Sequence, residues 1–393
     1  MRFPSFEGEW EVKKLGEIST FYSGGTPLTS KREYFDGDIP FIRSGEINSD
    51  KTEQFISELG LKNSSAKLVE VGDILYALYG ATSGEVGICK LNGAINQAVL
   101  CIKSNENHYF LFSYLRDKKE SITNTFLQGG QGNLSADIVK KIELYIPSIK
   151  EQTKISSFLS KIDERIQTQS KILIHLKSLI ESLNDSLSEQ KIRINSNFEN
   201  WKKVRLGDLG YTFTGLSGKT KEDFGNGKRY IQYKQIFDSS KIVIENCGYV
   251  NVSENENQNS VKYGDIFFTI SSETPDEIGM SSVLLEDVKN VYLNSFCFGF
   301  RLNSFNEMLP EFARFLFRSK VVRNEIKKLA QGSTRYNMSK TELLKLEILL
   351  PSIMEQKEIS AFLSSLDQKI QTEKAILEQL EMQKKYLLQQ MFV

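Results

Sequence analysis

The chain has 393 residues, 50 Lys+Arg against 50 Asp+Glu, and 40% hydrophobic side chains. This length favours two or three domains, and the hydrophobic content excludes wholesale disorder. A net charge of zero argues against coating nucleic acid or an anionic membrane by bulk attraction, while leaving room for a local basic face.

In chain order, Trp10-x4-Leu15-Gly16-Glu17-Ile18 opens a mixed segment. Strand-like runs follow at 38–43, 73–79 and 96–102, then a helix-like run at 108–120, separated by Gly, Ser, Thr and Asn clusters. Pro147 precedes Ser148-Ile149-Lys150-Glu151, whose S-x-x-E form predicts a capping box and a helix start. From there Ile155, Leu159, Ile162, Ile166, Gln169, Leu173, Leu176, Ile180, Leu183 and Leu187 recur at steps of four and three, a coiled-coil seam.

The pattern then begins again. Trp201-x4-Leu206-Gly207-Asp208-Leu209 repeats the opening, Gly264-Asp265-Ile266 repeats Gly72-Asp73-Ile74, and strand-like runs fall at 265–270 and 295–301. A helix-like run covers 310–330, and Pro351 precedes a second box, Ser352-Ile353-Met354-Glu355. The second seam is Ile359, Leu363, Leu366, Ile370, Glu373, Leu377, Leu380, Lys384, Leu387 and Met391. Residues 147–173 align without gaps to 351–377, with 16 identities in 27 positions. A period this long, present twice, means duplicated domains rather than a solenoid. The expected fold class is α+β: globular segments at 1–147 and 196–350, each followed by a long helix at 148–195 and 351–393. Each helix has an apolar stripe that needs a partner, and the other copy is the nearest one. The matching polar interruptions, Gln169 and Glu373, either set register or are tolerated.

Much familiar chemistry is missing from the sequence. The four cysteines (Cys89, Cys101, Cys247, Cys297) form no C-x-x-C pair and the two histidines (His108, His175) stand far apart, so no zinc site is expected. Dispersed cysteines and the lack of a signal-like start suggest a reducing, cytoplasmic setting. No apolar run reaches membrane-spanning length. There is no Asn-Pro-Pro-aromatic methyltransferase signature, and no G-x-G-x-x-G follows a strand. Gly215 to Thr220 resembles a P-loop tail, but Phe213 stands where that loop needs glycine. Glu355-Gln356-Lys357 has the E-x-K form of some nucleases, yet it lies in the helix cap and lacks a companion Asp. His175 reads as a solvated helix residue.

Recognition chemistry is present instead. Arg and Lys suit guanine and phosphate, Asn and Gln suit adenine, and Ser and Thr suit phosphate. Candidate DNA contacts in the first half are Thr26, Lys31, Arg32, Arg43, Ser44, Tyr79, Thr82, Ser83, Gln128, Gln131 and Asn133. In the second half they are Lys219, Lys221, Lys228, Arg229, Gln232, Lys234, Ser271, Ser272, Arg335, Tyr336 and Asn337. Singly these are ordinary polar loop residues; the signal is that such loops fall at corresponding places in both copies. The basic run Arg314, Arg318, Lys320, Arg323, Lys327 and Lys328 reads first as a solvated helix face.

As an ordered set, these motifs resemble the specificity subunit of type I restriction–modification systems over essentially the whole chain. The resemblance rests on both Trp-x4-Leu-Gly openings and on Gly24-Gly25-Thr26-Pro27 with Tyr34-Phe35 and Ile39-Pro40-Phe41-Ile42. Gly72-Asp73-Ile74 with Gly84-x2-Gly87, and the two Pro-x3-Glu-Gln helix starts, complete it. Two departures stand out: a single Pro precedes each Ser148 and Ser352, and the second half has Thr214-Gly215-Leu216-Ser217-Gly218-Lys219-Thr220 where the first has Gly-Gly-Thr-Pro. The resemblance implies two target-recognition domains, each reading half of a split site on double-stranded DNA. It implies that the long helices pack as an antiparallel coiled coil, with a pseudo-two-fold repeat, to space the half-sites. Two methyltransferase (modification) subunits holding S-adenosylmethionine would dock on the chain, and restriction/translocase subunits would join through them, with ATP and Mg on partner subunits of the full complex. The chain itself would bind no cofactor and catalyse nothing. The alternatives are a coiled-coil scaffold without DNA specificity and a nuclease with an unrecognised site.

Overall fold

The Trp-x4-Leu-Gly opening does the same structural work twice in the computed structural model of the chain, which describes residues 2–126, 133–195, 199–332 and 335–392. Strand Glu11–Lys14 pairs antiparallel with Glu143–Ile146, and Lys202–Arg205 with Glu347–Leu350. Trp10 packs edge-on against Phe110 at 6.0 Å, and Trp201 against Phe312 at 6.3 Å. Leu15 and Leu206 are fully buried. Gly16 and Gly207 follow because the backbone comes too near for a side chain: a Cβ would lie 3.1 Å from the Lys140 carbonyl oxygen and 2.9 Å from that of Leu344.

The chain divides into two units, residues 1–170 with 375–393, and residues 171–374. The first holds an antiparallel sheet in the order Ser19–Ser23, Val99–Ser104, Ile74–Ala77, Val86–Ile88. Ile74 and Tyr76 face one core with Phe110, Leu111 and Leu115 of helix His108–Asp117, while Leu75 and Ala77 face another with Ile42 and Val99. A strand buried on both faces reads as a continuous apolar run, which is why 73–79 was so legible. A second sheet has the order Phe55–Ile56, Ile39–Ile42, Gly93–Ile95, Lys67–Val69.

The second unit repeats the main sheet as Gly210–Thr214, Cys297–Leu302, Ile266–Thr269, Ser281–Val283. Its smaller sheets are Gly248–Val250, Phe224–Ile231, Tyr292–Leu293 and Ser271–Ser272, Tyr336–Met338, Ala330–Gln331. Both copies of the Gly-Asp-Ile motif make the same turn. Gly72 and Gly264 take φ of +98° and +85°, which suits glycine. Asp73 and Asp265 accept from the backbone N–H of Glu70 and Lys262 at 2.9 and 2.8 Å, and pair with Lys103 and Arg301 on the neighbouring strand.

Each long helix, Ile149–Ser188 and Ile353–Met391, contributes to both units. In the first, Ile155 and Leu159 share a core with Leu388, Met391 and Phe392, and Lys384 pairs with Asp163. In the second, Leu187 shares a core with Ile359 and Leu363. Seam residues are buried or half-buried, and His175 is exposed as expected. Among the described residues no helix is long and apolar enough to cross a membrane.

Three local expectations change. The run 108–120 breaks at Lys118 into helices His108–Asp117 and Lys119–Phe126, and 310–330 breaks at 317–319 into Pro310–Leu316 and Lys320–Lys328. The strand expected from 96 starts at Val99, because the Asn96 side chain takes the Ala98 N–H at 3.1 Å and makes a turn. The capping boxes are half made: Ser148 and Ser352 accept the N–H of Glu151 and Glu355 at 3.4 and 3.3 Å, but both carboxylates turn instead to arginines, Arg2 and Arg193.

Candidate nucleic-acid interface

In the second unit, four stretches separated in sequence meet around one recess of about 490 Å³. The short helix Tyr233–Asp238 forms one wall, with the Tyr233 and Phe237 rings stacked 6.2 Å apart. The Tyr233 hydroxyl donates to the Ser271 carbonyl at 2.9 Å and ties this helix to strand Ser271–Ser272. That strand pairs with the next, Ser271 opposite Asn337 and Ser272 opposite Tyr336. The lining therefore gathers four of the expected contacts, Lys234, Ser271, Ser272 and Arg335, and adds Tyr233, Phe237, Glu273, Glu277 and Phe296. Lys234 is mostly exposed and pairs with Asp238 at 2.7 Å, one turn along its own helix. Arg335 is exposed, whereas Ser272 is buried and spends its hydroxyl on Glu277 at 3.2 Å. Phe296 is 60% exposed and lies just ahead of the strand, which starts at Cys297 rather than at 295 as the strand-like run 295–301 suggested.

The walls are held from behind by the basic run, which is not the solvated face that its charges suggested. Arg318 donates to the carbonyls of Ile236, Phe237, Ser239 and Ser281 at 2.7 to 3.0 Å. It therefore caps the C-terminal end of the short helix. Arg323 donates to the carbonyls of Asp276, Ile278 and Gly279 at 3.0, 2.6 and 2.7 Å and fixes the turn below Glu277. Burial pushes both guanidinium groups down to about 10, so both stay charged at neutral pH. Arg314 is buried against Asp367 at 2.7 Å, and Lys327 reaches Asp276 at 2.7 Å. Only Lys320 and Lys328 of this run are exposed, and Lys328 pairs with Glu325 at 2.6 Å.

The other second-half candidates do not line the recess. Lys219 is held by Glu256 at 2.5 Å, an ion pair that, with neighbouring N–H donors, brings the Glu256 carboxyl down to about 2. Lys221 is exposed at the start of a tight turn, and Gln232 is exposed where the short helix begins. Lys228 and Arg229 lie on strand Phe224–Ile231, Arg229 donating to the Ile244 carbonyl at 2.8 Å.

In the first unit the Asn133 side chain accepts from the Gly80 N–H at 3.4 Å, so Asn133 and the Tyr79 loop come together. Tyr79 is 38% exposed, Thr82 donates to its carbonyl at 3.3 Å, and buried Ser83 donates to that of Leu78 at 3.0 Å. Gln128 and Gln131 lie outside the described residues. Thr26 donates to Gln97 at 2.5 Å. Lys31 sits 5.1 Å from the Tyr34 ring centre, and Arg32 is exposed. Arg43 is committed to two carboxylates, Glu46 at 3.1 Å and Glu53 at 2.8 Å, and these hold its pKa above the ordinary value. Ser44 begins the tight turn that Glu46 closes.

The remaining chemical candidates have structural duties. His108 bridges the carbonyls of Gly72 and Ser104 at 3.0 Å each. Glu355 of the E-x-K triplet is 1% exposed and paired to Arg193. Gln152 and Gln356, both fully buried, splice helix to domain: each donates to the carbonyl of the preceding Pro147 or Pro351, at 2.9 and 3.0 Å. Each also accepts a backbone N–H, from Asn107 and Leu309, at 2.9 Å. Among the described residues no group of three or more His, Cys, Asp or Glu is placed to hold a metal ion.

Comparison with known proteins adds a family match. The family model described as the type I restriction modification DNA specificity domain matches residues 7–178 and again 198–382. The specificity subunit of the type I restriction enzyme MjaVIII of Methanocaldococcus jannaschii is 22% identical over 97% of this chain and 91% of its own length. That of EcoR124I/EcoR124II of Escherichia coli is 29% identical over 40% of this chain and 42% of its own. Among solved structures, the S subunit of a type I restriction-modification system from M. genitalium shares the fold, with a TM-score of 0.58 at 17% identity over 100% of this chain and 99% of that one. A chain from a structure of the assembly of a type I system gives 0.61 at 16% identity over 98% of each.

Proposed function

The chain belongs to the type I restriction–modification DNA-specificity family, and we propose that it is the subunit that chooses the DNA target while partner subunits carry out methylation and cleavage. The observation that carries this reading is the double match of the specificity-domain model, at 7–178 and 198–382. Each copy covers one mixed globular segment and most of the long helix that follows it.

In this reading residues 1–147 and 196–350 are target-recognition domains, each reading one half of a bipartite site on double-stranded DNA. Residues 148–195 and 351–393 form an antiparallel coiled coil that sets the gap, a rod of roughly 60 Å at 1.5 Å rise per residue. Two sets of contacts support the antiparallel direction. Asp163 and Leu159 in the early part of one helix go with Lys384 and Leu388 in the late part of the other, and Leu187 goes with Ile359 and Leu363. A duplicated chain of this kind suits two identical methyltransferase partners, which would hold S-adenosylmethionine. ATP and Mg, in the full complex, would likewise be held by partner subunits, and restriction subunits would join through the methyltransferases. Zero net charge fits a subunit that selects a site, with modest non-specific affinity of its own.

A gel-shift series with and without the methyltransferase partner tests the proposal. Sequence-selective binding by the assembled complex is expected. Unselective binding in both conditions would refute it, and metal-dependent cleavage by the purified chain would favour a nuclease.

A further inference from the structure

We propose that the recess in the second unit reads one G·C base pair of its half-site, Arg335 taking the guanine and Glu273 the cytosine; this rests on the second globular segment being a DNA-recognition domain. Both side chains are exposed and line the same recess from different elements. Among the described residues, neither commits its charged group to a hydrogen bond or an ion pair, Arg335 accepting only through its backbone carbonyl. That separates Arg335 from Arg229, Arg314, Arg318 and Arg323, each of which already donates to a carbonyl or a carboxylate.

The pairing chemistry singles out the base pair. A guanidinium fork has two parallel N–H donors and needs two adjacent acceptors, which guanine presents as N7 and O6. A carboxylate only accepts. Phosphates repel it, so it is tolerated in a groove where it meets a donor, and cytosine N4 is the donor next to guanine O6. An A·T pair alternates acceptor, donor, acceptor and methyl, and offers the fork no adjacent pair of acceptors. An arginine and a glutamate on one recess, neither with a charged-group partner among the described residues, therefore match the edge of G·C.

The scaffold suits such reading. Helices and β-strands are the elements that enter the major groove, and this recess is bordered by a short helix and by the edge strand of a small three-stranded sheet. Its walls are fixed by the carbonyl bonds of Arg318 and Arg323, so little ordering is left for the moment of binding. Phe296 gives the rim an exposed apolar surface that would exclude water beside the two charges.

The test uses the full chain assembled with its methyltransferase partner. Affinity is measured on duplexes that differ from the preferred target by one base pair at a time. The wild-type complex is expected to select a G·C pair in one half-site. Arg335→Ala and Glu273→Ala are each expected to lose about 10- to 100-fold of discrimination at that pair, with the other half-site read as before. Both residues are exposed, so the fold should survive, and an unchanged melting curve checks this. The inference is overturned by equal loss on every sequence, which marks a phosphate contact. It is also overturned if both variants discriminate as wild type does, or if the half-site altered by Arg335→Ala contains no G·C pair. A wild-type complex without sequence selectivity overturns the proposed function as well, and is seen before any variant is made.

Discussion

Arg193 and Glu355 form a two-pronged ion pair, Nε to Oε1 at 3.1 Å and Nη2 to Oε2 at 2.8 Å, that duplicates the pair of Arg2 with Glu151 at 2.8 and 2.7 Å. Both arginines also hold the chain just ahead of the tryptophan, Arg193 through the Glu199 carbonyl at 2.8 Å and Arg2 through that of Glu7 at 3.1 Å. The pair thus joins the start of each domain to the start of its long helix. Glu355 is 1% exposed, so removing its partner leaves a buried carboxylate unpaired. Arg193→Ala should destabilise the second unit by about 3 kcal/mol. Arg193→Ala with Glu355→Gln should recover a large part of that loss. Urea denaturation of Arg193→Ala, Glu355→Gln and the double variant measures the coupling, and simple additivity would rule out the pair as a structural tie.

Features set by short-range interactions were legible in the sequence, and those set by long-range contacts were not. The apolar stripes of the long helices and the strand 74–77 were legible because local periodicity determines them, whereas Gly-Asp-Ile was visible as a repeated motif but not as the turn that its positive φ makes. Pro-x3-Glu-Gln was legible as a motif but not in its purpose, since the groups it engages, Arg2, Arg193, Asn107 and Leu309, have no fixed local spacing from it. The basic run 314–328 misled for the same reason: whether an arginine meets water or four carbonyls depends on the strands and turns folded over it. The recess was half legible. Lys234, Ser271 and Arg335 were each chosen by chemistry, but only tertiary packing places them together and adds Glu273 and Phe296.

Arg318 offers a second prediction. Its guanidinium satisfies carbonyls at the end of the helix that carries Tyr233, Lys234 and Phe237. Arg318→Ala orphans those carbonyls and should cost about 2–4 kcal/mol. Arg318→Lys has only three donors on a flexible stem and should restore part of the stability. In the lysine variant, discrimination at the second half-site should fall while the first stays intact. Equal loss at both half-sites would point to general unfolding rather than to positioning.

The thiols give a third. All four cysteines are free and buried. Burial raises each thiol pKa, that of Cys101 to about 12. An exposed thiol ionises near 8.5. Above that pH the unfolded chain sheds protons that the folded chain keeps, so stability should fall as pH rises beyond about 8.5. Iodoacetamide at pH 8.5 should label no cysteine in the native protein and all four in denaturant, counted by mass spectrometry. Fast native labelling of any one would contradict its burial.

The spacer reading makes the last prediction. Inserting seven residues into each long helix, after Lys171 and after Lys374, keeps the seam in phase because the heptad is its repeat. Each insertion adds about 10 Å of helix at 1.5 Å per residue. The contacts at the helix ends, Leu159 with Leu388 and Leu187 with Ile359, are left in place. The two half-sites should therefore keep their sequences while the gap between them grows by about three base pairs, taken at 3.4 Å each. Methylome sequencing of cells that express the lengthened chain with its methyltransferase reads both quantities at once. An unchanged gap would reject the helices as the ruler, and altered half-sites would mean that the insertions had disturbed the recognition domains themselves.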